Sequence, residues 1–94
     1  MNFEWDENKN QTNIRKHGID FRAASKVFKD ANFIVSEDTR YDYDENRFQI
    51  IGAVDPHGVL VVIYTECYED TIRLISARKA DKRERRLYQQ SNSW

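Results

Sequence analysis

The side chains best equipped for chemistry in this chain are cationic, and they crowd toward one end. Residues 73–94 hold Arg73, Arg78, Lys79, Lys82, Arg83, Arg85 and Arg86 against only Asp81 and Glu84, a net charge of +5. Four of these cations fall between Lys82 and Arg86, too many for the two carboxylates to neutralise, so they form either a solvated helix face or a polyanion site. Arg73 alternates with Ile72 and Leu74. On a strand it projects from the opposite face, together with Ile75 and Ala77. An arginine among apolar strand residues needs a carboxylate partner or a bound anion. Arg78 stands where the strand hands over to a helix, a place from which side chains and exposed amides reach a phosphate. Arg47 opens another strand, and an ion pair with Glu45 or Asp44 accounts for it equally well.

Other chemistries lack their parts. No phosphate loop, dinucleotide fingerprint or G-x-S-x-G elbow occurs. The two histidines, His17 and His57, are forty residues apart with no acidic cluster at metal spacing, and one cysteine makes no zinc site. His57 lies in Asp55-Pro56-His57-Gly58, where Asp, Pro and Gly occupy their favoured places in a type I turn. Cys67 has no neighbour that would act as its base, and reads as a bystander.

The elements that must position these groups follow from periodicity. The chain has 94 residues, 39% hydrophobic and 33% charged, enough for one small core, so a single domain spanning 1–94 is expected. Phe3-Glu4-Trp5 alternates as a short strand. Asp6 caps a polar helix to His17, which Gly18 stops in the left-handed conformation, with Ile19 and Ile14 in the apolar contact that closes such an end. Asp20 caps a second helix with Phe21, Ala24, Val27 and Phe28 on one face. Strands are expected at Phe33–Val35, Arg47–Val54, Val59–Tyr64 and Thr71–Ala77. The third is apolar on both faces and should be covered on both sides or nearly so. The acidic stretch Glu37–Glu45 reads as a loop or hairpin. Asp81 with Glu84 is an acidic capping box opening a basic helix to about Gln89, and residues 90–94 are expected to fray. The layout is α+β: an antiparallel sheet with two N-terminal helices packed on one face and a C-terminal basic helix. Trp5, Ile14, Phe21, Phe28, Ile50, Val62 and Leu74 are the expected core. No apolar run approaches membrane-spanning length and the N-terminus has no secretory apolar region, so a cytoplasmic location is expected.

Two long motifs then stand out. FEWDENKNQTNIRKHGIDF matches F-E-W-D-x-x-K-x-x-x-N-x-x-K-H-G-[IV]-x-F at Phe3, Glu4, Trp5, Asp6, Lys9, Asn13, Lys16, His17, Gly18, Ile19 and Phe21. Ile72–Ala80 matches I-R-[IL]-I-S-A-R-[KR]-A, followed by a basic helix carrying Glu84 and Tyr88; Arg47 and Gly52 match the segment between. Over almost its whole length the chain resembles BrnT-type toxins of bacterial type II toxin–antitoxin modules. The resemblance implies a RelE-like fold, a metal-independent endoribonuclease without cofactor, and a cognate antitoxin with a DNA-binding domain. Operator DNA would be reached only through that antitoxin, and no membrane is involved. One position departs: Asp81 stands where the family pattern has Thr or Ser. Its carboxylate competes with RNA phosphate for the helix N-terminus, so those amides are not assigned to substrate.

RNA can be cut without metal when its 2′-hydroxyl attacks the adjacent phosphate. The protein then supplies a proton acceptor, a proton donor and cations for the developing charge. Arg73 and Arg78 suit the charge role, and a bend at Ser76–Ala77 would bring them closer together. His17, Lys16, Glu84 and Tyr88 are the proton-transfer candidates, not ranked by sequence. Arg47, Lys79, Lys82 and Arg83 are expected to contact RNA. Two alternatives stand beside this reading: a nucleic-acid-binding co-repressor that does not cleave, and an interaction module whose basic helix docks an acidic protein segment.

Overall fold

The computed structural model describes residues 1–39 and 45–91. Arg40–Asp44, the centre of the acidic stretch, and residues 92–94 lie outside them. Strands β1 (Asn2–Glu4), β2 (Ile34–Glu37), β3 (Phe48–Val54), β4 (Gly58–Glu66) and β5 (Thr71–Lys79) form one sheet in the order β1-β5-β4-β3-β2. Helices α1 (Glu7–His17) and α2 (Phe21–Ala24), a 3₁₀ segment (Ser25–Lys29) and α3 (Lys82–Ser91) surround it. The fold is thus α+β, but the sheet is mixed rather than purely antiparallel. β2 to β5 pair antiparallel, whereas β1 runs parallel to β5 with Phe3 opposite Ile72 and Glu4 opposite Arg73. No hairpin joins that pair: residues 5–70 intervene, so a same-direction pairing is open to it.

The capping signals act as their residue types dictate. Asp6 accepts from the amides of Asn8 and Lys9, and Gly18, at φ 70°, donates its N–H to the Ile14 carbonyl. Asp20 accepts from the Arg22 amide. The second helix keeps α geometry for only four residues and then tightens into the 3₁₀ segment. Gly52 of β3 permits this segment to lie close, since a Cβ there would come 3.2 Å from the Val27 carbonyl oxygen. The turn after β3 also differs from expectation. The Asp55–Pro56 peptide is cis, and the His57 amide donates to the Val54 carbonyl, so the turn spans 54–57 with the proline third, not second.

The larger core joins Ile19, Phe21, Ala24 and Val27 to Ile50, Val54, Leu60, Val62, Tyr64, Ile72, Leu74 and Ala77. A smaller cluster of Ile51, Val61 and Ala80, with Ile34, Val59 and Tyr88 against it, fills the other face under α3. β4 is therefore covered on both sides, and the helices divide between the two faces. Trp5, Ile14 and Phe28 are only half-buried, unlike Phe21, Ile50, Val62 and Leu74. Ile14 falls short because α1 docks by hydrogen bonds: its buried residues are Asn10 and Asn13. Phe28 borders the core among Phe3, Phe33 and Tyr64, with ring centroids 5.0–6.4 Å away. Phe28→Ala is accordingly expected to cost about 2–3 kcal/mol, less than the ~3–5 of an enclosed phenylalanine. A denaturant melt identical to wild type would show that this ring cluster contributes nothing.

Candidate functional site

β5 decides where the expected site residues point. Opposite β4 its register runs Ser76 to Ile63 and then Leu74 to Tyr64, leaving Ile75 as an extra residue in a bulge. The bulge reverses the alternation. Ala77 joins Ile72 and Leu74 in the core instead of pairing with Arg73, and Arg78 lies opposite Val61 of the smaller cluster. The irregularity thus falls at Ile75, just before the expected bend.

The two arginines end in different surroundings. Arg78 is turned to Glu84: its two terminal nitrogens each donate to one oxygen of that carboxylate at 2.7 Å, and Nη1 also reaches the Lys79 carbonyl at 3.3 Å. Glu84 is 7% exposed and completes the capping box, accepting from the Asp81 amide while its own amide donates to Asp81. Hydrogen bonding to Arg78, above all, holds the Glu84 carboxyl down at about 2. This pair fastens the start of α3 to the end of β5. Tyr88 is likewise engaged, its hydroxyl donating to Asp30, and burial, with that bond adding, pushes its phenol up to about 12. Asp30 also accepts from the Ala53 and Asn32 amides.

Arg73 is held differently. Its Nε donates to Glu4 at 2.8 Å, and both side chains are about half exposed. That bond, above all, raises the guanidinium further above its ordinary range. The ion pair orients the side chain and occupies Nε only. Its two terminal nitrogens remain open to a cavity of about 580 Å³ lined by Glu45, Glu66, Cys67, Tyr68 and Arg73. The expectation offered a carboxylate partner or an anion; here the carboxylate leaves room for an anion.

Lys16 and His17 come together elsewhere, on the other side of β1 along β5. A groove of about 320 Å³ between α1 and β5 is lined by Asn8, Lys9, Thr12, Asn13, Lys16, His17, Ile75 and Ser76. Asn13 builds it. Beyond Arg73, β1 no longer pairs with β5. There the Asn13 amide takes the neighbouring strand's place, accepting from the Ala77 N–H at 3.0 Å and donating to the Ala77 carbonyl at 2.8 Å. It also donates to the Ile19 carbonyl at 2.9 Å, while Asn10 accepts from the Phe21 amide. The side chains of Lys9, Lys16 and His17 are exposed and make no hydrogen bond or ion pair among the described residues. Lys9 entered the sequence reading only as a position of the family motif, and helical spacing is the signal that could have marked it, since positions 9, 13 and 16 share one face of α1.

The remaining cations stand apart. Arg47 is half-buried with Glu45 at 3.7 Å, the first of its two expected partners. Lys79, Lys82 and Arg83 are exposed at the β5–α3 junction, with no ion pair among the described residues. No group of three or more His, Cys, Asp or Glu among the described residues is arranged to hold a metal ion. No described helix is long and apolar enough to cross a membrane.

These observations define a small α+β domain with a five-stranded mixed sheet, three helices and a cationic groove along β5. The chain belongs to the BrnT family: residues 5–84 match the family described as the ribonuclease toxin, BrnT, of type II toxin–antitoxin systems. It is similar to the crystal structure of the Brucella abortus ribonuclease toxin, BrnT, with 28% sequence identity and a TM-score of 0.66, covering 87% of this chain and 99% of that one. Comparison with curated protein sequences gives no significant match. Membership supports the role of a toxin in such a system, and a type II system implies a protein antitoxin as partner.

Proposed function

We propose that the chain is an endoribonuclease that cleaves RNA by attack of the substrate's own 2′-hydroxyl, in the groove between α1 and β5. The observation that carries this reading is the meeting of Lys9, Lys16 and His17, all without protein partners, beside Ser76 and Ile75. An imidazole next to two ammonium groups has the parts for the reaction without a metal: a proton-transfer group and fixed charge for the phosphorane. His17 takes the 2′-hydroxyl proton as the new O2′–P bond forms and passes it to the 5′-oxygen as the P–O5′ bond breaks; Lys16 and Lys9 neutralise developing charge, and Arg73, three residues from Ser76 along β5, holds a phosphate of the same strand. Glu84 leaves the list of proton donors, because its carboxyl is ionised and gripped by Arg78. Lys79, Lys82, Arg83 and Arg47 act only on RNA reaching past β5.

The partner in this reading is an antitoxin with its own DNA-binding domain, through which operator DNA is reached, in the cytoplasm. A RelE-like topology and a single domain over 1–94 belong to the same proposal. An acidic segment laid along the groove would restrain the toxin by occupying its cations, with fast, salt-sensitive capture.

Labelled RNA incubated with the purified protein in chelator should give fragments ending in 2′,3′-cyclic phosphate. His17→Ala, with an unchanged melting curve, should cleave ~10²-fold more slowly. A mobility shift with intact RNA would instead favour the non-cleaving co-repressor, and full cleavage by His17→Ala would remove the histidine from the mechanism.

A further inference from the structure

We infer that Tyr68 is a stacking platform for one base of the RNA strand, with Arg73 beside it on that nucleotide's phosphate. The inference rests on the ribonuclease reading and adds a binding subsite to it. Tyr68 is 92% exposed, the most exposed aromatic side chain among the described residues. It sits in the tight turn between β4 and β5, where the Cys67 amide donates to the Thr71 carbonyl at 2.8 Å and Glu69 and Asp70 are both left-handed, at φ 58° and 57°. A ring in a turn pinned between two paired strands is presented at little conformational cost. It has no packing role among the described residues.

The cavity beside it carries both signs of charge. Arg73 brings two unengaged terminal nitrogens, while Glu45 and Glu66 line the same space. Within it only the Arg73 guanidinium attracts a phosphate, and an uncharged base suits the space that remains. The volume, about 580 Å³, lies within the ~300–1,000 Å³ range of small-molecule sites. Position along the strand agrees. Arg73 precedes Ile75 and Ser76 of the α1 groove by two and three residues of β5, at most ~10 Å. A strand with its reacting phosphate in the groove thus carries a neighbouring nucleotide past Arg73 to the turn. Every base has a π-face, so stacking here anchors the strand without reading its sequence.

The test is an abasic scan. Short RNA oligonucleotides carrying a 2′-deoxy nucleotide at the cleavage position, so that they stay intact, are titrated by fluorescence anisotropy. In wild type, removing the base at one position should weaken binding on the order of 10-fold or more. Tyr68→Ala should bind the intact oligonucleotide weaker by the same factor and be indifferent to the abasic nucleotide at that position. Tyr68→Phe should restore both the affinity and the sensitivity. Wild-type affinity in Tyr68→Ala, or a loss that every abasic position still adds to, overturns the platform while leaving the ribonuclease reading standing. A wild-type protein that neither binds nor cleaves RNA overturns both.

Discussion

Asn13→Ala is expected to remove on the order of 3–5 kcal/mol of stability, from the ~5–15 typical of a whole domain. The reason is the number of buried groups one side chain serves. Its oxygen accepts from the Ala77 amide, and its nitrogen donates to the carbonyls of Ala77 and Ile19. Asn13 is 5% exposed and Ala77 and Ile19 are fully buried, so water does not readily replace the lost amide. Each orphaned backbone group carries a desolvation cost of about 1–3 kcal/mol. For a domain of this size the melting temperature should fall by roughly 15–25 °C. Asn13→Asp sharpens the test. It keeps the shape and the acceptor, but puts an oxygen where the donor faced two carbonyls, so at neutral pH it should be no better than alanine. A melting temperature within a few degrees of wild type for both variants would show that α1 is not held to β5 through this residue.

Asn13 also marks the boundary of what could be read in advance. Asp6, Gly18, Asp20 and the Asp81–Glu84 box were legible because a cap is a local event: the residue type and the atoms it serves lie within a few positions. The apolar runs of β3, β4 and β5 were legible for the same reason, alternation being a property of the strand itself. Asn13 serves Ala77 across 64 positions, and nothing local in QTNIRK marks that pairing. The parallel docking of β1 and the Ile75 bulge are equally non-local, since both depend on what lies opposite. One inserted residue in β5 then moved Ala77 into the core and turned Arg78 toward the smaller cluster, which alternation alone placed otherwise. Within the site, Lys16 and His17 meeting on one groove followed from their adjacency at the end of α1. The engagement of Arg78 did not, although its partner Glu84 was already identified as the capping-box acid. A carboxylate that receives an amide on one oxygen still has capacity for a bidentate guanidinium.

The same distinction yields the second large effect, a separation of roles between Arg73 and Arg78. Arg78→Ala should destabilise, because it leaves Glu84, nearly buried, without its counter-charge. Breaking a buried pair costs ~3–5 kcal/mol, and with the Arg78 side chain 36% exposed a discounted value of about 2–3 kcal/mol is expected. The pH dependence gives an independent reading. The Glu84 carboxyl sits at about 2 in the folded chain against an ordinary 4.5, so its folded-state value is depressed. Its contribution is complete above the ordinary value and is lost as pH falls from about 4.5 toward 2. Glu84→Gln should flatten that acid limb while melting lower at neutral pH. Arg73→Ala should do the opposite of Arg78→Ala: its partner Glu4 is as exposed as it is, so the melting curve should stay close to wild type. Binding of RNA should nevertheless weaken and lose part of its salt dependence, with cleavage of bound RNA nearly normal, because the open guanidinium nitrogens hold a phosphate beside the reacting one. A ~10²–10³-fold fall in turnover of bound RNA would instead place Arg73 on the reacting phosphate itself. Glu4→Gln, which keeps an acceptor for Nε, should fall between wild type and Arg73→Ala. A stable Arg73→Ala protein with full binding and cleavage would remove Arg73 from the site, and an Arg78→Ala protein that melts like wild type would show that its pair with Glu84 does not hold α3 to β5.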